Sequence, residues 1–174
     1  MLEFLTAIVD LFSRSGIPYM LSGSLAFNLY AIPRSTRDID IIADISLHDL
    51  DKFISQFPDG YYFHKPVMED AIRRKSMFNI IDPASGYKLD VIVLSDQPYE
   101  VHKFNRRRII DMDNKKIHVI TAEDLVISKL IWIQNLDSEL QKRDISQLML
   151  KEDIDVAYLH SWCNRLKLNT YGLL

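Results

Sequence analysis

One cysteine, Cys163, among 174 residues leaves no partner for an internal disulfide and too few thiolates for a cysteine-built metal cage. Cys163 reads as core packing. Glycine and proline are scarce, at five and six, and no low-complexity tract, internal repeat or long linker appears, which argues against disorder. Basic charge is not in excess: the net charge of −3 argues against indiscriminate coating of nucleic acid and leaves room only for local patches. The five histidines show no metal-ligand spacing, so no zinc site is expected. Long apolar runs are missing too. The opening MLEFLTAIVDLFSRSG is interrupted by Glu3 and Asp10 and lacks a basic start, so neither a secretion signal nor a membrane span is expected, and the reading is a cytoplasmic protein.

What is present is ordinary for a globular chain: 48% hydrophobic and 26% charged residues. Apolar residues at Leu2, Leu5, Ile8, Val9 and Phe12 predict a helix over about 2–14, capped by Gly16. IPYMLSG reads as a short strand, and a second helix opens near 22–24 and ends before Pro33. RDIDIIAD has the β-branched density of a central strand. Ser46 is placed to cap LHDLDKFISQF, YYFH reads as an edge strand, and PVMEDAIRRK reads as a short helix. Two hairpins are expected, SMFNIID with YKLDVIVL and a shorter one turning at Asp113 and Asn114. Helices are expected over 121–135, 138–150 and 155–167. The class is therefore α+β with a C-terminal helical layer, divided as an α/β core over 1–120 and a helical part over 121–174, packed as a single domain.

Within the central strand, Asp38 and Asp40 point to one face while Ile39 and Ile41 point to the other. Their separation is on the order of 7 Å. A third carboxylate, Asp90, lies in another apolar strand and shares that face if the strands are neighbours. Buried carboxylates brought together need a compensating cation. Mg²⁺ suits such a site because it takes hard oxygen ligands and completes its shell with water and phosphate oxygens. Two such ions roughly 4 Å apart favour displacement at phosphorus. Gly23 and Ser24, at a strand-to-helix turn, read as a phosphate seat or as an ordinary turn. Asp38 reads equally as a salt-bridge partner of Arg34 or Arg37.

At these residues the sequence resembles the nucleotidyltransferase superfamily with the polymerase β-like fold. LSGSLAFNLYAIPRSTRDIDI matches its first motif through Gly23, Ser24, Asp38 and Asp40, and YKLDVIVL supplies the third carboxylate, Asp90. More narrowly, TAEDLVISKLIW and QKRDISQL are similar to segments of AbiEii-type toxin nucleotidyltransferases, through Lys129 and through Arg143 and Asp144. Ser146 and Gln147 depart from that group's further acidic residue. The resemblance implies a mixed sheet with flanking helices and transfer of a nucleoside monophosphate from an NTP to an acceptor hydroxyl, with release of pyrophosphate. It implies two Mg²⁺ ions, with Mn²⁺ as a substitute, held by Asp38, Asp40 and Asp90. Gly23, Ser24, Arg37, Lys129 and Asp144 would bind the nucleotide, with Lys129 also counted among the catalytic groups.

The acceptor is left open between RNA or tRNA, a protein and a small molecule, and a toxin with an antitoxin partner is among the expectations. The alternatives are a catalytically inactive nucleotide- or partner-binding module of the same fold and an antibiotic-modifying nucleotidyltransferase. Lys129 also reads as a solvated lysine on an amphipathic helix. Lys103, Arg106, Arg107 and Arg108, with Arg73, Arg74 and Lys75, read either as solvated faces or as contacts to an RNA backbone. Trp132 and Trp162 read as core packing.

Overall fold

The computed structural model describes residues 1–174. Helix α1 (Leu2–Ser15) buries Leu5, Ile8, Val9 and Phe12 of the expected stripe but leaves Leu2 exposed, and it ends at Gly16, whose φ of +73° is a conformation that glycine adopts without a Cβ penalty. Strand β1 (Tyr19–Ser22) runs into the short helix α2 (Gly23–Phe27). That helix stops well before Pro33. The chain leaves it in turns because the Asn28 side chain brackets the backbone of Arg34, accepting from its N–H at 2.9 Å and donating to its carbonyl at 2.8 Å. Strand β2 (Asp38–Ala43) follows, then α3 (Leu47–Ile54), which opens with a capping box between Ser46 and Asp49.

Helix α4 (Lys65–Arg74) leads into the hairpin of β3 (Met77–Asp82) and β4 (Tyr87–Val93). The expected edge strand at YYFH is reduced to one bridge, Tyr62 to Ile81. Aromatic packing holds that segment instead, with Tyr61 against Phe57 and Phe4. Helix α5 (Pro98–Asn105) was not anticipated. It is short, and Tyr99 and Phe104 find their burial only in the tertiary structure. Strands β5 (Arg108–Met112) and β6 (Lys115–Val119) form the second hairpin. Its two-residue turn holds Asp113 and Asn114 at φ of 51° and 59°, the left-handed pair a type I′ turn requires. Three helices close the chain: α6 (Ala122–Asn135), α7 (Glu139–Leu148) and α8 (Val156–Leu166).

The six strands form one mixed sheet in the order β3-β4-β2-β1-β6-β5. β2 and β4 are parallel, as are β1 and β6, and the other neighbours are antiparallel. One face of the central strands carries Tyr19, Leu21, Ile39, Ile41 and Leu89, all buried. Phe12 of α1 packs on Tyr19 and on Phe53 of α3, which joins those helices to that face. The opposite face carries Ser22, Asp38, Asp40 and Asp90, and α2 and α6 to α7 enclose a cleft over it. No helix is long and apolar enough to cross a membrane.

Candidate active site

The sheet register determines the arrangement of the carboxylates. Because β2 and β4 run parallel, Asp40 stands directly opposite Asp90 and Asp38 directly opposite Lys88, all four on one face. Ser22 lies opposite Asp40 on the other side, at the end of β1. The chain then turns at Gly23 with φ of +60°, and a β-carbon there would lie 1.8 Å from Oδ2 of Asp40. Glycine at position 23 is therefore required twice, by the left-handed backbone and by the carboxylate packed against it.

The three aspartates occupy one neighbourhood but do not form a closed three-carboxylate cluster. A lysine separates two of them. Lys88 Nζ lies 2.9 Å from Asp90 Oδ2 and 3.6 Å from Asp38 Oδ1. The partner of Asp38 is thus neither Arg34 nor Arg37, and Lys88 sets one positive charge between two of the carboxylates. The hydrogen bond it donates to Asp90 holds the Lys88 ammonium pKa above the ordinary lysine value, against desolvation. Asp90 Oδ1, by contrast, is buried with no hydrogen-bond partner. Burial and the neighbouring Asp90 charge raise the Asp40 carboxyl above the usual range, while the Ser24 backbone amide and Lys129 act the other way. An unpartnered buried oxygen and a carboxylate made costly by its neighbours are hard-oxygen donors that fit a divalent ion.

The cleft holds about 290 Å³ and is lined by Gly23, Ser24, Asp38, Asp40, Lys129 and Trp132, among others. Lys129 is no solvated lysine: it is 5% exposed and donates to Asp144 at 2.8 Å and to Gln141 at 2.7 Å. Burial pulls its pKa down, and the Asp144 carboxylate opposes that pull. Asp144 does not line the cleft. It faces a second hollow of about 320 Å³ and acts on the first through Lys129. Arg34 grips Asp144 with Nε at 3.2 Å and Nη2 at 2.9 Å, and that same Nη2 donates to Ser24 Oγ at 2.9 Å. Although burial works to raise it, these bonds hold the Asp144 carboxyl below the usual range.

Arg37, expected among the nucleotide-binding groups, is exposed and outside the cleft lining, and it is Arg34 that donates to Ser24 Oγ. Trp132 is 44% exposed on the cleft wall, not in the core. One residue, Lys88, escaped the sequence reading. It carried a legible signal, since two residues before Asp90 in a strand is the same face. Arg34, read as a partner of Asp38, meets Ser24 and Asp144 instead, because Asn28 brackets its backbone.

The basic runs are engaged in part, with Arg108 exposed and outside any ion pair. Lys103 is buried against Glu100 at 2.7 Å, and Arg106 donates to Asp124 at 3.0 Å. Arg107 donates to the Phe104 carbonyl, and Arg73, Arg74 and Lys75 pair with Glu69, Asp70 and Asp96. Asp124 is itself a buried hub: it accepts from Tyr99 at 3.1 Å, Tyr158 at 2.5 Å and Thr121 at 2.8 Å as well as from Arg106.

Comparison with known proteins bears on this arrangement. No curated protein matches the chain. Among solved structures, the lincosamide antibiotic adenylyltransferase LnuA, lincomycin-bound, superposes with a TM-score of 0.56 at 21% identity over 83% of this chain and 94% of its own. An antigenic nucleotidyltransferase-like protein from Paracoccidioides brasiliensis gives 0.54 at 15% identity, over 85% of this chain and 73% of its own. ANT(2″)-Ia in complex with adenylyl-2″-tobramycin gives 0.52 at 11% identity, over 98% and 91%. At such identities the likeness establishes the fold, a mixed sheet with flanking helices. A family model described as a nucleotidyltransferase of unknown function, DUF6036, matches residues 3–172. The chain belongs to that family and is a nucleotidyltransferase.

Proposed function

We propose that the cleft transfers a nucleoside monophosphate from an NTP to an acceptor hydroxyl, with Asp38, Asp40 and Asp90 holding divalent ions. The observation that carries this reading is the parallel register that sets Asp40 beside Asp90, one of whose buried oxygens has no protein partner. Mg²⁺, or Mn²⁺ in its place, would supply charge neutralisation at the phosphates and a more acidic acceptor hydroxyl.

The chain's own residues position the reactants. Gly23 and Ser24 line the cleft at the start of α2, where the Ser24 hydroxyl can meet a phosphate oxygen while its backbone amide serves Asp40. Lys129 adds a point charge whose place is maintained by Asp144 and Gln141. Arg34 orients the Ser24 hydroxyl, and Arg37 stands outside, where it meets only a substrate that extends beyond the cleft. Trp132 offers an exposed aromatic wall on which a base or a ring can pack. The acceptor oxygen attacks the α-phosphorus, the bond to the bridging oxygen breaks, and pyrophosphate departs with the electron pair. The acceptor's proton passes to Asp90. Catalysis then rests on positioning and charge neutralisation.

The acceptor we favour is a small hydroxylated molecule. Of the basic side chains that would track an RNA backbone, Lys103 and Arg106 are held by Glu100 and the buried Asp124, and the chain is acidic overall. LnuA and ANT(2″)-Ia are antibiotic adenylyltransferases of the same fold. An AbiEii-type toxin acting on tRNA is the second reading, since the 2.8 Å contact between Lys129 and Asp144 joins the two segments that resemble that group. Incubation with four α-labelled NTPs, Mg²⁺ and cell extract, followed by sizing of the labelled product, separates these readings. Label on a small compound supports the first and label on tRNA the second. Absence of any transfer across all four nucleotides would overturn both and leave a nucleotide-binding module.

A further inference from the structure

Lys88 differs from every other cation near the cleft. Lys129 and Arg34 are held by Asp144, which lies outside the carboxylate cluster. The acidic partners of Lys88 are Asp90 and Asp38, two of the groups assigned to the divalent ions. Its side chain is 34% exposed, so the ammonium has a route to solvent along a flexible stem. Its place is fixed by register: opposite Asp38 and two residues before Asp90, on the cleft face of β4. With Lys88 in this position, Asp90 is only 7% exposed and absent from the cleft lining.

We propose that Lys88 is a tethered counter-ion that neutralises the metal-free carboxylates and must be displaced when a divalent ion loads. This rests on the metal-dependent reading above and deepens it. Loading then becomes an exchange in which one covalently attached cation leaves as another arrives. The exchange weakens the apparent affinity for the divalent ion, and it keeps Asp38 and Asp90 from repelling each other beforehand. Removing the lysine charge should therefore tighten metal binding and, in the metal-free protein, lower thermal stability.

Mn²⁺ binding followed by electron paramagnetic resonance on wild type, Lys88→Gln and Lys88→Arg tests the exchange, with thermal unfolding measured with and without Mn²⁺. The expected result is about tenfold tighter Mn²⁺ binding by Lys88→Gln, the scale of one charge-assisted hydrogen bond. Lys88→Arg should stay close to wild type, and Lys88→Gln should show the larger rise in Tm on Mn²⁺ addition. Equal or weaker Mn²⁺ binding by Lys88→Gln overturns the exchange and leaves the metal site standing. No Mn²⁺ binding by any of the three overturns the metal reading and the exchange with it. The wild-type protein gives an independent readout that does not require the glutamine variant to fold. After reductive ¹³C-methylation, the lysine resonance missing from Lys88→Arg should move on Mg²⁺ addition, and a stationary resonance in Mg²⁺-loaded protein overturns the proposal.

Discussion

Gly23 and Asp40 approach each other so closely that any β-carbon at position 23 would lie inside the Asp40 carboxylate, 1.8 Å from Oδ2. The glycine of the turn therefore does two things: it opens the backbone to a ligand and it fixes where Asp40 sits. Gly23→Ala is expected to abolish nucleotidyl transfer and to lower stability by about 1–3 kcal/mol, the usual range for a forced left-handed residue. Urea unfolding and a pyrophosphate-release assay check the two halves. Ser24→Ala, which leaves the backbone alone, should reduce transfer without a comparable loss of stability.

Asp40→Asn should abolish transfer and make the metal-free protein more stable at neutral pH. The sign follows from the raised carboxyl pKa of Asp40 in the fold. An unfolded aspartate ionises near pH 4, before the folded one. The native state therefore loses stability as pH rises from that point through the folded pKa. Asparagine removes this loss. Thermal unfolding of wild type and variant from pH 3 to 8 should show the gap opening as pH rises, and a less stable variant at pH 7 would contradict the assignment.

Asp144 behaves in the opposite way. Its carboxyl pKa is depressed by Arg34 and Lys129, so its contribution is present above about pH 4 and disappears as pH falls through the folded value. Asp144→Ala leaves the buried Lys129 ammonium without its carboxylate and should cost about 3–5 kcal/mol. Denaturant titration at pH 7 and at pH 3 should show the difference between wild type and variant shrinking at the lower pH. Where the variant folds, its KM for the nucleotide should rise, because Lys129 and Ser24 both lose their orientation.

Much of this was legible in the residue pattern, for identifiable reasons. DIDIIA announces a half-buried strand with both carboxylates on one face, because side chains alternate at period two regardless of tertiary context. Gly16 and the pair Asp113 and Asn114 mark their turns because only certain residues tolerate positive φ. Other elements depended on packing that no local window contains. Tyr99 enters α5 as part of the buried cluster around Asp124, with Tyr158 arriving from α8 far along the chain. Asp144 lies near Arg34 only because α7, packed on α6, comes beside the turns between α2 and β2, and this contact converts an acidic helix residue into a support for Lys129. Trp132 has apolar neighbours in sequence, yet α6 presents it to the cleft.

Asp124 is the strongest purely structural prediction. It is fully buried, and it accepts hydrogen bonds from Tyr99, Tyr158, Thr121 and Arg106. Asp124→Ala orphans several buried donors together and should destabilise by about 3–5 kcal/mol. Hydrogen exchange should show α5 and α8 losing protection first. A variant within about 0.5 kcal/mol of wild type, the usual scale for a surface change, would remove Asp124 from the core.

The central claim concerns where divalent ions bind, and anomalous diffraction from crystals grown with Mn²⁺ and a non-hydrolysable NTP analogue tests it most directly. The account predicts manganese density among the carboxylates of Asp38, Asp40 and Asp90, with the triphosphate running toward Gly23, Ser24 and Lys129. Nucleotide in the cleft with no manganese at those carboxylates, and Lys88 still clasped between Asp38 and Asp90, would contradict it.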